Sequence, residues 1–350
     1  MKKIFLICCA LYWVVGQSWA QKEPHELLTV AFYNLENLFD PTNDPHKADD
    51  DFTPEGSYQY TEQVYKEKLR NMAKVLSQLG TEVVPKGPAL IGVSEIENER
   101  VLKDLLNEPS LKKKNYQYVH FESPDMRGID VALLYRRDQF TVLQTRAIPV
   151  DLSNIQRRGK TRDILYVQGV LARDTIHVMV CHWPSRRGGV KQSAPLRTYA
   201  ASVCRKIADS LFAIRPQAKI IIMGDLNDDP VNASITHELR ATGEMKRIPE
   251  MDFYNPWVRF YQKGIGTLAH NDKWHLFDQI IISTSWMKSQ YAGEWYFVKA
   301  EVFNAEFLKQ TQGKYKGYPH RSFQNHRWNK GYSDHFPVLI YLGKPQKRSR

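Results

Sequence analysis

The stretch Lys219-Ile-Ile-Ile-Met-Gly-Asp-Leu-Asn-Asp228 constrains this chain more than any other. Its apolar, β-branched run reads as a buried strand. The run stops at Gly224 and delivers Asp225 and Asn227, two residues apart. In extended backbone, residues i and i+2 point the same way, so both side chains face one place. Near the other end, Tyr332-Ser-Asp-His-Phe-Pro337 sets an acid beside an imidazole, just ahead of a second apolar run at 336–342. Carboxylate, amide, carboxylate and histidine at the mouths of buried strands suit a hard cation and a phosphoester.

Residues 1–20 stand apart. Lys2 and Lys3 precede an apolar run from Ile4 to Val15, and Ser18-Trp19-Ala20 supplies small residues for a peptidase. The run is too short to span a bilayer. A secretory peptide cleaved near Ala20, with export to the periplasm or beyond, is the expectation. Without Lys2 and Lys3 the net charge falls from +11 to +9, an excess that favours a polyanionic partner. Two cysteines remain, Cys181 and Cys204, so the fold relies on its core and both are expected unpaired. Residues 21–343 read as one domain acting as a monomer, and 344–350 as a frayed basic tail.

Periodicity places strands at 27–33, 89–93, 131–135, 140–147, 165–171, 175–181, 219–223, 276–283 and 336–342. Helices are expected at 61–79, 100–106 and 195–212, the last with Pro195 in its first turn. Residues 40–60, rich in Pro, Asp and Gly, read as a loop or lid, with Asp49, Asp50 and Asp51 solvated. Several strands follow one another directly. That pattern fits two packed mixed sheets flanked by helices, an α/β (α+β) four-layer sandwich, better than one doubly wound sheet.

Five strand ends carry polar side chains that a plain core has no use for: Asn34, Glu95, His182, the pair Asp225 and Asn227, and the pair Asp334 and His335. Singly each has an ordinary reading, such as a turn former, a neighbour of a helix cap or a satisfied core histidine. Together, at corresponding strand ends, they converge on one face.

These residues, with Arg127-Gly-Ile-Asp130, Cys181-His-Trp183 and Phe277-Asp-Gln-Ile280, resemble the endonuclease/exonuclease/phosphatase family in order from residue 27 to 342. The resemblance implies the deoxyribonuclease I-like sandwich and phosphoester cleavage dependent on Mg²⁺ or Mn²⁺. It makes Glu95 the principal metal ligand, with Asn34 and Asp334 beside the same ion. Asp225 would orient or deprotonate the attacking water, with Asn227 holding it. His335 would contact the phosphate, steered by Asp278. His182 would be a second phosphate contact or the acid for the leaving oxygen.

Arg127 is expected to bind phosphate, with Asp130 bracing His182. Arg186 and Arg187, in a glycine-flanked loop, suit anion capture. The leading expectation is a nuclease acting on DNA or RNA. An inositol-phosphate or sphingomyelin hydrolase of the same fold is the first alternative, for which Trp286 and 295–297 would dock a membrane. A non-catalytic binding protein is the second.

Overall fold

The computed structural model describes residues 26–155, 159–246, 248–287 and 294–344. The expected secretory peptide and most of the basic tail lie outside them. In chain order the first half holds β1 (Glu26–Leu38), α1 (Glu62–Gln78), β2 (Leu90–Ile96), α2 (Glu99–Asn107) and α3 (Pro109–Lys112). It continues with β3 (Tyr116–His120), β4 (Asp130–Arg136), β5 (Phe140–Ile148), β6 (Ile164–Leu171) and β7 (Asp174–His182). Next come α4 (Val190–Ile214), β8 (Lys219–Asp225), β9 (Ala241–Thr242), β10 (Phe253–Tyr254) and α5 (Trp257–Gln262). The chain ends with β11 (Leu268–His270), β12 (Lys273–His275), β13 (Asp278–Ser283), β14 (Tyr296–Val302), β15 (Phe323–Gln324), β16 (Arg327–Trp328) and β17 (Val338–Lys344).

One sheet runs β14-β17-β1-β2-β4-β3 and the other β5-β6-β7-β8-β13-β10-β9, with β11–β12 and β15–β16 as separate hairpins. In the middle of each sheet a parallel pair, β1 with β2 and β7 with β8, is flanked by antiparallel neighbours, and a second parallel pair, β9 with β10, closes the edge of the second sheet. Helices α1 and α2 cover the first sheet and α4 the second, so the expected layering holds. Thr61 and Asn98 cap the first two helices, accepting from the amides of Val64 and Val101.

Alternation sorts each strand of the second sheet into two rows. Ile221 and Met223 of β8, Val178 and Val180 of β7, and Ile280 and Ile282 of β13 join the core between the sheets. Ile220 and Ile222, Met179 and Cys181, and Ile281 lie under α4 with Ala201, Cys204 and Phe212. Gly92 lets the sheets approach, since a Cβ there would stand 2.5 Å from Met223 Sδ and 3.0 Å from Phe32. Gly224 is tighter still: its Cβ would lie 2.1 Å from the carbonyl oxygen of Cys181 on the parallel neighbour.

The structure departs from expectation at identifiable places. Helix α4 starts at Val190, so Pro195 lies inside it and not in its first turn. Arg197, buried in the next turn, donates to Ser193 Oγ and the Val190 carbonyl. Asp49 is buried and accepts the Asp44 amide, whereas Asp50 and Asp51 are exposed as expected. Trp286 and Trp295 are core residues and Phe297 packs on Tyr254, which removes the proposed membrane-docking hairpin. Cys181 and Cys204 are unpaired yet touch, Sγ to Sγ 3.7 Å, because both face the seam between β7 and α4. No helix among the described residues is long and apolar enough to cross a membrane.

Gly224→Ala drives a methyl group into backbone, which no side-chain rotation relieves. It should cost about 1–3 kcal/mol or more, read as a lower urea midpoint, with Asp225 displaced. Unchanged stability would show that β7 and β8 separate freely.

Candidate active site

Four polar side chains of the site each continue the inward row of their own strand by two residues. Phe32 leads to Asn34, Val180 to His182, Met223 to Asp225, and Ile280 back to Asp278. The parallel pair β7–β8 places His182 beside Asp225, and antiparallel pairing sets Asp278 opposite Asp225. Strand β17 runs against β1, so Asp334 and His335, just before it, arrive at the same end. The site is thus a polar lid on the core between the sheets.

Its carboxylates crowd together. Asn34 Nδ2 donates to Glu95 Oε1 at 3.2 Å and to Asp225 Oδ2 at 3.1 Å. His182 Nε2 stands 3.8 Å from Glu95 Oε1 and 3.5 Å from Asp225 Oδ2. Asp225 Oδ1 accepts the Asn227 amide, and Asn227 Nδ2 donates to the Trp183 carbonyl. His335 Nδ1 meets Asp278 Oδ2 at 2.6 Å, leaving Nε2 to face Asp225 and Asp334, each 3.9 Å away. Glu95 and Asn227 both have positive φ, 59° and 50°, held by these contacts and by the Asn37 amide on Glu95 Oε2.

Burial sets the protonation states. It pushes Asp225 up to about 7; His335 pulls against this while Asp278 and Glu95 reinforce it. For His335 burial alone lowers the imidazole pKa. The carboxylates of Asp278, Asp225 and Asp334 outweigh it and raise His335 well above 6.5. For His182 burial, joined by Arg162, Arg127 and His335, drives the value well below 6.5, so the ring is neutral. Its Nδ1 is buried without a partner.

Among the described residues three groupings have donor atoms close enough to share a divalent ion: Glu95, His182 and Asp225, and Asp225, Asp278 and His335, both at this site, and His120, Glu122 and Asp130 beside β3 and β4. The first fits better, because in the second the imidazole is protonated and already paired with Asp278. Glu95 and Asp225 are two carboxylates facing one small space with only a neutral ring and an amide between them. A cation there offsets that charge.

Three expectations need correcting. Asn34 turns its amide nitrogen to the carboxylates while Oδ1 accepts the Glu36 amide, so it orients Glu95 and Asp225 in place of supplying a donor oxygen. Asp130 does not brace His182; it accepts the Ser123 amide and faces His120 Nε2 at 3.3 Å. Arg186 is not a free anion-capturing arm, because its guanidinium is held by Asp228, Asp229, Asn232 and the Asn227 carbonyl and lies over Phe277. Arg187 is exposed, and Arg127, half exposed, is 3.6 Å from Asp125.

Other residues emerge only in three dimensions. Arg162 is buried and donates to the carbonyls of His182 and Trp183, fixing the end of β7. Lys68, fully buried on α1, donates to the Glu36 carbonyl. The Glu36 carboxylate accepts the Ser322 amide at 2.6 Å and stands 3.6 Å from Arg321, whose Nη2 donates to Asp334 at 2.8 Å. Although burial opposes it, His335 and Arg321 hold Asp334 below the usual carboxylate range. Asp334 is therefore tied to Arg321 and lies outside the Glu95 grouping.

The paired sheets and this site define a sandwich-fold class, and residues 29–344 match the model of the Endonuclease/Exonuclease/phosphatase family. The chain belongs to that family. No curated protein sequence matches it. Among solved structures it is similar to D. rerio TDP2 complexed with a single-strand DNA product, at 13% identity, TM-score 0.53, covering 91% of this chain and 99% of that one. Truncated Caenorhabditis elegans TDP2 matches at 14% identity and TM-score 0.53 over 91% and 97% of the two chains. A mannosyl-6-phosphatase from Bacteroides thetaiotaomicron matches at 16% identity and TM-score 0.51, over 90% and 99%. At such identities the likeness speaks for the fold.

His335 generates a pH prediction for the metal-free protein. Because its folded pKa is raised, its contribution to stability is fully present below 6.5 and is lost as pH rises through the higher folded value. Asp278→Asn should remove that dependence and bring the ring's NMR titration down. A His335 resonance that titrates identically in both proteins would disprove the coupling.

Proposed function

We propose that the protein is a metal-dependent phosphodiesterase that hydrolyses nucleic acid by activated-water attack on phosphorus. The observation that carries this reading is the single buried focus of Glu95, His182, Asp225, Asn227 and the His335–Asp278 pair at the end of the core. Glu95, Asp225 and the neutral ring of His182 would hold the cation, magnesium or manganese. When bound, that cation neutralises charge on a phosphoryl oxygen and makes water more acidic.

Asp225, with Oδ1 fixed by the Asn227 amide and Oδ2 turned to the site, takes the proton of the attacking water. His335, held as an imidazolium by Asp278, faces the phosphoryl oxygens through Nε2 and stabilises the charge that grows there. Asn34 keeps Glu95 and Asp225 in register. Arg127 and Arg187, with half-exposed Arg321, give the mouth a positive rim for a polyanion. The net charge of +11 and the single-strand DNA in the D. rerio TDP2 structure support nucleic acid as the substrate class.

One observation favours a second reading, a sugar-phosphate monoesterase. A cavity of about 250 Å³ opens two residues along from Glu95, lined by Asp40, Thr42, Asp44, Glu97, Asn98 and Arg100. Carboxylates, an amide and a hydroxyl in such a cleft suit a polyhydroxyl group, and the similar B. thetaiotaomicron protein is a mannosyl-6-phosphatase.

Purified enzyme offered DNA, RNA, bis-p-nitrophenyl phosphate and sugar phosphates, with and without chelator, separates the readings. Cleavage of DNA or RNA should vanish with chelator and fall steeply with salt. Asp225→Asn and His335→Ala should each lower turnover at least ~10²-fold. Arg187→Ala should flatten the salt slope by about one, whereas Arg186→Ala should lower stability, because it removes a half-buried guanidinium shared by Asp228, Asp229, Asn232 and the Asn227 carbonyl. Intact nucleic acid beside a hydrolysed sugar phosphate would replace the nuclease reading with the second. Full activity in chelator would remove both.

A further inference from the structure

Phe39, Phe52, Tyr58 and His326 form a file of near-parallel rings running from the core to the surface. Centroid separations are 4.4, 4.5 and 4.6 Å, with interplanar angles of 6°, 12° and 28°. Phe39 is buried and His326 exposed. The inner rings of the file stack on both faces. His326, the last, stacks on protein through one face, and the file ends there.

The ring is presented on a fixed support. Asn325 and His326, with φ of 49° and 62°, form the two-residue turn between β15 and β16. Trp328 Nε1 donates to Glu67 at 2.7 Å, Phe323 packs on Trp328, and Asn71 donates to the Gly331 carbonyl at 2.8 Å. Arg321, Arg327 and Lys330 are exposed on the same segment, and no acidic residue occurs between Pro319 and Ser333. The segment joins the active site directly, through Arg321 on Asp334 and the Ser322 amide on Glu36.

A flat ring with one face open, set among cations and held rigid, has the make-up of a stacking platform for an unpaired base. Rigidity lowers the ordering cost of binding. We infer that the β15–β16 hairpin carries a base-stacking subsite for single-stranded nucleic acid, with His326 taking the base and Arg327 and Lys330 the neighbouring phosphates. This rests on the nucleic-acid reading above and adds which element selects the substrate.

The test is fluorescence anisotropy of a short labelled single strand with the full chain in EDTA at low salt, so that binding is read without cleavage. His326→Ala should weaken binding at least about fivefold, the loss expected from one base stack, and His326→Trp should bind as tightly as the parent or tighter. A strand with abasic sites should bind the parent protein weakly and be indifferent to His326→Ala, since its phosphates are unchanged. Equal affinity of parent and His326→Ala for the intact strand, or of parent protein for intact and abasic strands, overturns the subsite alone. A parent protein that binds neither single-stranded DNA nor RNA overturns the subsite together with the nucleic-acid reading.

Discussion

Everything at the active site depends on the packing of the two sheets through rows that alternate along each strand. Because Met223, Val180, Ile280 and Phe32 must face the core, the residues two positions beyond them must face the same way. Asp225, His182, Asp278 and Asn34 therefore need no separate device to bring them together. The register of β7 on β8 and of β13 on β8 fixes their relative heights, and a slip of one residue would turn each side chain away. The two glycines protect this arrangement. Gly92 permits the approach of the sheets and Gly224 that of neighbouring strands, so shape and register are set by residues with no chemistry of their own.

Convergence has an electrostatic consequence. Glu95, Asp225, Asp278 and Asp334 converge on one end of the core, where their like charges are poorly screened. The chain answers locally. His335 is kept protonated, Asn34 places two N–H groups between carboxylates, and Arg321 holds Asp334. The grouping of Glu95, Asp225 and neutral His182 has no charged base among its members, whereas that of Asp225, Asp278 and His335 contains an imidazolium. That asymmetry distinguishes the half of the site suited to a cation from the half suited to an anionic phosphoryl group, and both halves share Asp225.

Much of this was legible in the sequence because it is local. Asp225 with Asn227, and Asp334 with His335, are spaced so that backbone geometry alone assigns their direction, and apolar runs mark the strands. The rest depends on pairings across the chain. Lys68 shares the buried stripe of α1 with Leu69, Met72 and Leu76, but a lysine there looks like solvent-facing surface until Glu36 is found opposite it. Arg186 looks like a mobile arm until Asp228 and Asp229 arrive from the far side of β8. Strand β14 escaped notice because its exposed Val298 and Lys299 blur the alternation. Tertiary partners, more than propensity, decided each of these.

Chemistry and recognition occupy different kinds of structure here. Catalytic side chains stand on strand ends, where neighbouring backbone holds them on two sides. On the proposed reading, the residues that would meet a substrate beyond its phosphate stand on the 40–60 segment and the β15–β16 hairpin, outside both sheets. These two excursions are locked to each other by Tyr58 and Tyr60 against Phe323 and by Tyr58 against His326, and to α1 by Trp328 on Glu67. Since that lock uses ring stacking and not sheet register, its outer residues can change without disturbing Asp225 or Glu95. The same fold persists at 13–17% identity, as expected when the sheets need only alternation and register while the two excursions pack through rings of their own. The proposed recognition surface can therefore vary apart from the strand alternation that sets the site.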